Sequence, residues 1–172
     1  MSIWVRAVCT KSLGEVTPED LRAGVADRLE RLAAFYGEPD PAETIARLRV
    51  ERAGHDERAE VFLLHYRPGD DHFLRVERWT ESARVKEEAV ELMAELEDCD
   101  EEGVDDVRAC LERAVELTAL ELKISDAEGI GWPIVIATAA TLAARGEGLI
   151  QADAEGWMAP RGLAVDHLID AD

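Results

Sequence analysis

Val61-Phe62-Leu63-Leu64-His65-Tyr66 is an unbroken run of apolar, β-branched and aromatic side chains, the strongest strand signal in the chain. After it, Pro68-Gly69-Asp70-Asp71 is a turn signal, and His72 to Trp79 then sets Phe73, Leu74 and Val76 among Arg75, Glu77 and Arg78. Before it, Leu48 and Val50 alternate with charged residues, and Ala53 to Arg58 reads as a polar loop or hairpin connection. Short alternating runs separated by turns predict an antiparallel meander. A sheet built by hairpins, not by crossovers, therefore stands at the centre of the expected fold.

The flanks supply further strands and helices. Ile3 to Thr10 predicts a first strand. Thr17-Pro18-Glu19-Asp20 starts a helix: threonine caps it, proline takes the first helical position, and the acids face the positive end of the dipole. Leu21, Val25, Leu29, Leu32 and Tyr36 give its core stripe, and Gly37 ends it. A short helical turn is expected over Pro41 to Ala46. Thr80-Glu81-Ser82 opens a second long helix with Val85, Ala89, Leu92, Met93 and Leu96 inward, and a third spans Glu102 to Arg113. Ala114 to Ser125 either extends that helix or forms a strand; the strand is preferred. Gly131-Trp132-Pro133 begins an alanine-rich helix to about Ala144, Leu149 to Asp153 reads as a strand, Trp157-Met158 starts a short final strand, and Leu163 to Leu168 is expected as a last helical turn. The order predicts a single α+β domain over residues 1–172, a mostly antiparallel sheet with three to four helices packed against it.

Composition narrows the function. The 172 residues carry 38 Asp plus Glu against 19 Lys plus Arg, a formal charge of −19. Binding to nucleic acid or to an anionic membrane is disfavoured, because both need cationic side chains to neutralise phosphate. No run approaches the ~20 apolar residues of a membrane span, and the N-terminus lacks the cationic start and cleavage region of a secretory signal, so a cytoplasmic protein is expected. Cys9, Cys99 and Cys110 form no C-x-x-C pair and are expected as free thiols, the first and last buried. Trp4, Trp79, Trp132 and Trp157 each stand near an element boundary, where core rims and interfaces both use tryptophan.

The most informative feature is acidic. Glu87, Glu88, Glu91, Glu95, Glu97, Asp98, Asp100, Glu101, Glu102, Asp105 and Asp106 follow one another with no basic residue between them. Like charges at helical spacing repel, at roughly 0.2–0.5 kcal/mol per pair. Such a ridge either is a solvated face or attracts a cationic protein and speeds encounter with it. The candidate contact residues are Glu91, Glu95, Asp98, Glu101, Glu102 and Asp105. Calcium is not expected there. An EF-hand register starting at Asp98 places Asp100 and Gly103 correctly, but puts Ala109 where the bidentate glutamate belongs.

Catalytic and cofactor signals are weak. His55, His65, His72 and His167 lie in no metal-binding spacing. His65 and His72 flank a predicted hairpin turn, and a site between them would need a third ligand such as Asp70 or Asp71. No nucleophile elbow, kinase set or phosphate loop occurs, and no cofactor is expected. Asp153 and Glu155 follow a strand and could pair at a sheet end; a turn explains them as well.

The C-terminal third, with Leu120-Glu121-Leu122-Lys123-Ile124-Ser125, Gly131-Trp132-Pro133, the alanine-rich helix and Gly148-Leu149-Ile150-Gln151-Ala152-Asp153-Ala154-Glu155-Gly156-Trp157, resembles the tail of small bacterial immunity proteins of contact-dependent toxin systems, including Sit-type systems. The likeness covers about fifty residues and is a pattern of elements, so no functional residue transfers by position. It implies no catalysis: such a protein binds its toxin, often a cationic nuclease, and occludes the active surface. Two alternatives stand beside it. One is an acidic adaptor or nucleic-acid mimic for another basic protein. The other is a small enzyme with its site at the sheet edge near His65, His72 and Asp153.

Overall fold

The computed structural model describes residues 1–55, 59–69, 72–153 and 155–171. The end of the expected 53–58 connection, the Asp70-Asp71 turn with its two candidate ligands, Ala154 and the side chain of His55 lie outside the described residues.

Eight strands form one antiparallel sheet: β1 (Ser2–Cys9), β2 (Arg49–His55), β3 (Glu60–His65), β4 (Phe73–Trp79), β5 (Glu116–Lys123), β6 (Leu149–Ala152), β7 (Gly156–Arg161) and β8 (Ala164–Ile169). Their spatial order is β2-β3-β4-β5-β1-β6-β7-β8. The meander is present, with Leu64 opposite both Val50 and Leu74. The ambiguous 114–125 stretch is strand β5. It pairs with β1 along the whole of both strands, from Ser2 opposite Lys123 to Cys9 opposite Glu116, and with β4 on its other side.

Five helices cover the sheet: α1 (Pro18–Phe35), α2 (Ala42–Arg47), α3 (Ser82–Glu95), α4 (Val104–Glu112) and α5 (Gly131–Arg145). Thr17 caps α1 by accepting the Asp20 N–H at 3.0 Å while Asp20 accepts the Thr17 N–H at 3.3 Å, a reciprocal capping box. Arg145 reaches the same carboxylate at 3.1 Å; this contact, with the cap, holds Asp20 below the usual carboxylate range.

Alternate residues of the central strands face two separate cores. Val5, Ala7, Leu120 and Leu122 meet α1 and α5, whereas Val8, Leu117, Ala119 and Trp157 meet α3 and α4. Helix α5 is apolar on nearly all sides because it is buried on all sides, between the sheet and α1; Ala137, Ala139, Ala140 and Ala143 are fully buried and allow that close approach.

Three expectations are corrected. The segment from Leu163 to Leu168 is not helical: β8 occupies it and closes one edge of the sheet. The final-strand reading at Trp157-Met158 becomes β7, with β8 after it, and β7 continues through Pro160 to Arg161 because β6 ends opposite Met158, where a missing N–H is tolerated on a strand with one neighbour. The expected connection from Ala53 begins later, since β2 runs to His55 across a bulge between Arg52 and Gly54.

Candidate functional site

Helix α3 leaves the end of β4 and lays Val85, Ala89, Leu92 and Leu96 on the second core. Its last turn carries Glu95 and no basic residue, so negative charge stands at the negative end of the helix. The linker Glu97–Glu102 adds Asp98, Asp100 and Glu101 at the same place. It then turns at Gly103 (φ 104°), where a β-carbon would lie 2.9 Å from the Leu168 carbonyl oxygen of β8. That approach brings the linker onto the sheet, and the Asp170 N–H points to Glu101 at 3.4 Å.

The sheet supplies the other wall. Gly156 (φ 84°) opens β7, and a β-carbon there would fall 2.1 Å from the Ile169 carbonyl oxygen. This contact adjoins a bulge at which both His167 and Ile169 are registered against neighbouring residues Met158 and Trp157. Between linker and sheet lies a cleft of about 370 Å³. Glu95, Asp98, Asp100, Glu101, Asp153 and Asp170 line it, with Leu96, Trp157 and Ile169 as apolar surface.

One cation reaches this region from below. Arg6 donates to Glu88 at 2.7 Å, Gln151 at 2.6 Å and Asp153 at 2.9 Å, and Asp153 also accepts the Trp4 N–H at 3.2 Å. Burial alone would lower the Arg6 pKa, but the bonds to Glu88 and Asp153 outweigh it and raise the value. The other five carboxylates of the cleft make no ion pair with a described residue.

Of the six residues expected to contact a partner, the fold brings Glu95, Asp98 and Glu101 together in the cleft. Glu91 and Glu102 are exposed outside it, and Asp105 lies in the first turn of α4, 3.8 Å from Arg108. Asp170 joins from the far end of the chain, a participant that only the β8 pairing reveals. Trp157 faces the cleft but is buried, and Trp79 lies beneath the Arg84 guanidinium at 3.8 Å.

The residues of the enzymatic alternative take separate partners. His65 is buried and faces Glu51 at 3.1 Å, His72 faces Asp126 at 3.0 Å, and Asp153 belongs to the acidic cleft. Asp153 and Glu155 do not pair either: Glu155 bonds to Tyr36 and Trp132 on the opposite side of the sheet. Among the described residues, no group of three or more His, Cys, Asp or Glu side chains is arranged to hold a metal ion. No described helix is long and apolar enough to cross a membrane.

Asp126 is buried with one carboxylate oxygen lacking a partner, and the buried Tyr66 hydroxyl lacks one too. Burial first, and Asp126 in addition, push the Tyr66 phenol up to about 12. Tyr66→Phe removes a hydroxyl that was desolvated without a bond, so a gain of about 1 kcal/mol is expected in urea denaturation at neutral pH. The folded pKa lies above the unfolded one. The Tyr66 hydroxyl therefore costs least below pH ~10, and it takes further stability from the fold as pH rises from there toward 12. The variant should lose part of that alkaline slope and keep the part due to Cys9, whose thiol burial also raises to about 12.

In comparisons with known protein families, with curated proteins and with solved structures, the chain matches none.

Proposed function

We propose that this chain is an intracellular binding protein of the immunity type, which neutralises a cationic protein toxin by covering its active surface. The observation that carries the reading is the cleft at the end of α3. Carboxylates from three distant parts of the chain, 95–101, 153 and 170, converge there beside apolar Leu96 and Trp157. An arginine or lysine from a partner suits such a place: its aliphatic stem lies along apolar surface while its head meets carboxylates. Crowding of like charge at the negative end of a helix is unfavourable in the free protein, so a cation relieves it on binding. The exposed Glu91, Glu102 and Asp105 extend the negative field around the cleft and speed encounter. The weak C-terminal likeness to immunity proteins agrees with this reading.

The test is binding to a toxin encoded beside this chain, measured by stopped-flow and calorimetry. The triple reversal Glu95→Lys, Asp98→Lys and Glu101→Lys should weaken binding about a hundredfold or more, chiefly through lost charge complementarity. Reversal of Glu15, Glu30 and Glu43, exposed acids on or beside the helices of the opposite face, makes the same change in net charge and should cost less than about threefold at physiological salt. Equal effects of the two triples would remove the cleft from the reading. Similar affinity for unrelated basic proteins, collapsing with salt, would assign an acidic adaptor instead.

A further inference from the structure

Beside the cleft, α3 and α4 leave an open groove of about 640 Å³ between them. Its apolar surface comes from Ala89, Val90, Met93 and Ala94 on α3 and Leu111 on α4. Val90 is 68% exposed. A β-branched residue at a solvated helical position gains neither burial nor helix propensity. Met93 and Ala94 follow Val90 at three- and four-residue spacing, which joins them in an apolar strip along one flank of the helix.

The rim is charged. Glu97 and Glu112 are exposed and make no ion pair with a described residue. Lys86 is the opposing charge at one end, and Arg108 is occupied by the Leu96 carbonyl at 2.8 Å and by Asp105 at 3.8 Å. A second copy of the chain fits this rim poorly, since each copy carries −19 and would present the same acids. From this complementarity we infer that the groove receives an amphipathic helix of the cationic partner. Its apolar stripe seats on Val90 and Met93, and its basic flanks meet the glutamates of the rim. Helix-in-groove recognition uses this arrangement of anchors at i, i+3, i+4 and i+7. The inference rests on the cationic-partner reading above and adds the form in which the partner is recognised.

The experiment uses the full chain and two synthetic peptides of about 18 residues, long enough for helix formation. Both contain only leucine and lysine in the same numbers; one is ordered as an amphipathic helix and the other is scrambled. The amphipathic peptide should bind about tenfold more tightly or better, as expected for one well-seated apolar anchor, with NMR shifts at Val90, Met93 and Leu111. Val90→Glu, an exposed position where folding is not at risk, should abolish that preference. The Glu95→Lys, Asp98→Lys, Glu101→Lys chain should bind both peptides more weakly and retain the preference. Equal binding of the two peptides, no binding of either, shifts confined to the cleft, or a preference that survives Val90→Glu would each overturn the groove. None of these outcomes touches the cleft, whose failure would appear only with the toxin itself.

Discussion

Glu116→Ala is expected to lower the unfolding free energy by about 3 kcal/mol in urea denaturation, because it leaves a buried guanidinium with only one of its two counter-charges, Glu60. The Arg78 Nε and Nη2 groups donate to the same Glu116 oxygen at 3.0 and 2.9 Å, and Nη1 donates to Glu60 at 3.1 Å. Side-chain exposure is 10% for Arg78 and 6% for Glu116. Ser12 donates to the second Glu116 oxygen at 2.5 Å, and Arg52 completes the row by binding Glu60 at 2.9 Å. Charges therefore alternate across β2, β3, β4 and β5 in the order Arg52, Glu60, Arg78, Glu116, and none is left uncompensated. Alanine at 116 removes the nearer counter-charge and the oxygen that accepts twice from Arg78, and water has little access to replace them. The double variant Arg78→Met, Glu116→Leu deletes the pair together and should cost less than either single truncation. A loss from Glu116→Ala of about 1 kcal/mol or less, the range of an exposed pair, would show that this row is solvated.

That row illustrates what a single sequence carries and what it hides. Arg78 and Glu116 look like ordinary polar residues of edge or half-exposed strands; only the pairing of β4 with β5 makes them neighbours. The meander, the capped start of α1 and the stripe of α3 were legible because they depend on local period and on caps. Strand β8 was not, and its bulge explains why. Val165 belongs to the α1/α5 core and Ile169 to the α3/α4 core, although a regular strand would put them on one face. The extra residue opposite Trp157 and Met158 switches the parity, so the apolar residues fall at 165, 168 and 169, a spacing that reads as one helical turn. The cleft was legible by halves. The acid run supplied Glu95, Asp98 and Glu101, but nothing local in Asp170 connects it to them, and Asp153 is distinguished from its neighbour Glu155 only by which side of the sheet each side chain leaves.

Glu155 is the second position of large expected effect, and it acts on the side of the sheet away from the cleft. One oxygen of its carboxylate accepts the Trp132 indole N–H at 2.5 Å; the other accepts the Tyr36 hydroxyl at 2.8 Å and faces His167 Nε2 at 3.3 Å. These donors belong to the start of α5, the end of α1 and the edge strand β8, so one side chain joins three elements with no backbone hydrogen bond in common. Phe35 stacks on His167 at 6.5 Å between ring centres and covers the corner. Burial, and then the bond to Glu155, raise the Tyr36 phenol well above its ordinary range, so it remains the donor at any physiological pH. Glu155→Ala leaves the hydroxyl and the indole N–H without their acceptor. Full desolvation would make that loss larger, but the Glu155 side chain is 21% exposed and water recovers part of it, so about 2–3 kcal/mol is expected in thermal or urea denaturation. Tyr36→Phe removes one donor and should cost about half as much, and a double-mutant cycle should show coupling of about 1 kcal/mol between the two positions. Glu155→Gln keeps one carbonyl oxygen, can accept from one donor well, and should fall between. Wild-type stability in Glu155→Ala would mean that the corner is hydrated and that α1, α5 and β8 are held by apolar packing alone. If the proposed function holds, partner binding by the folded Glu155→Ala chain should equal that of the wild type, because Asp153, two residues away, leaves the sheet on the other side and reports to a different core.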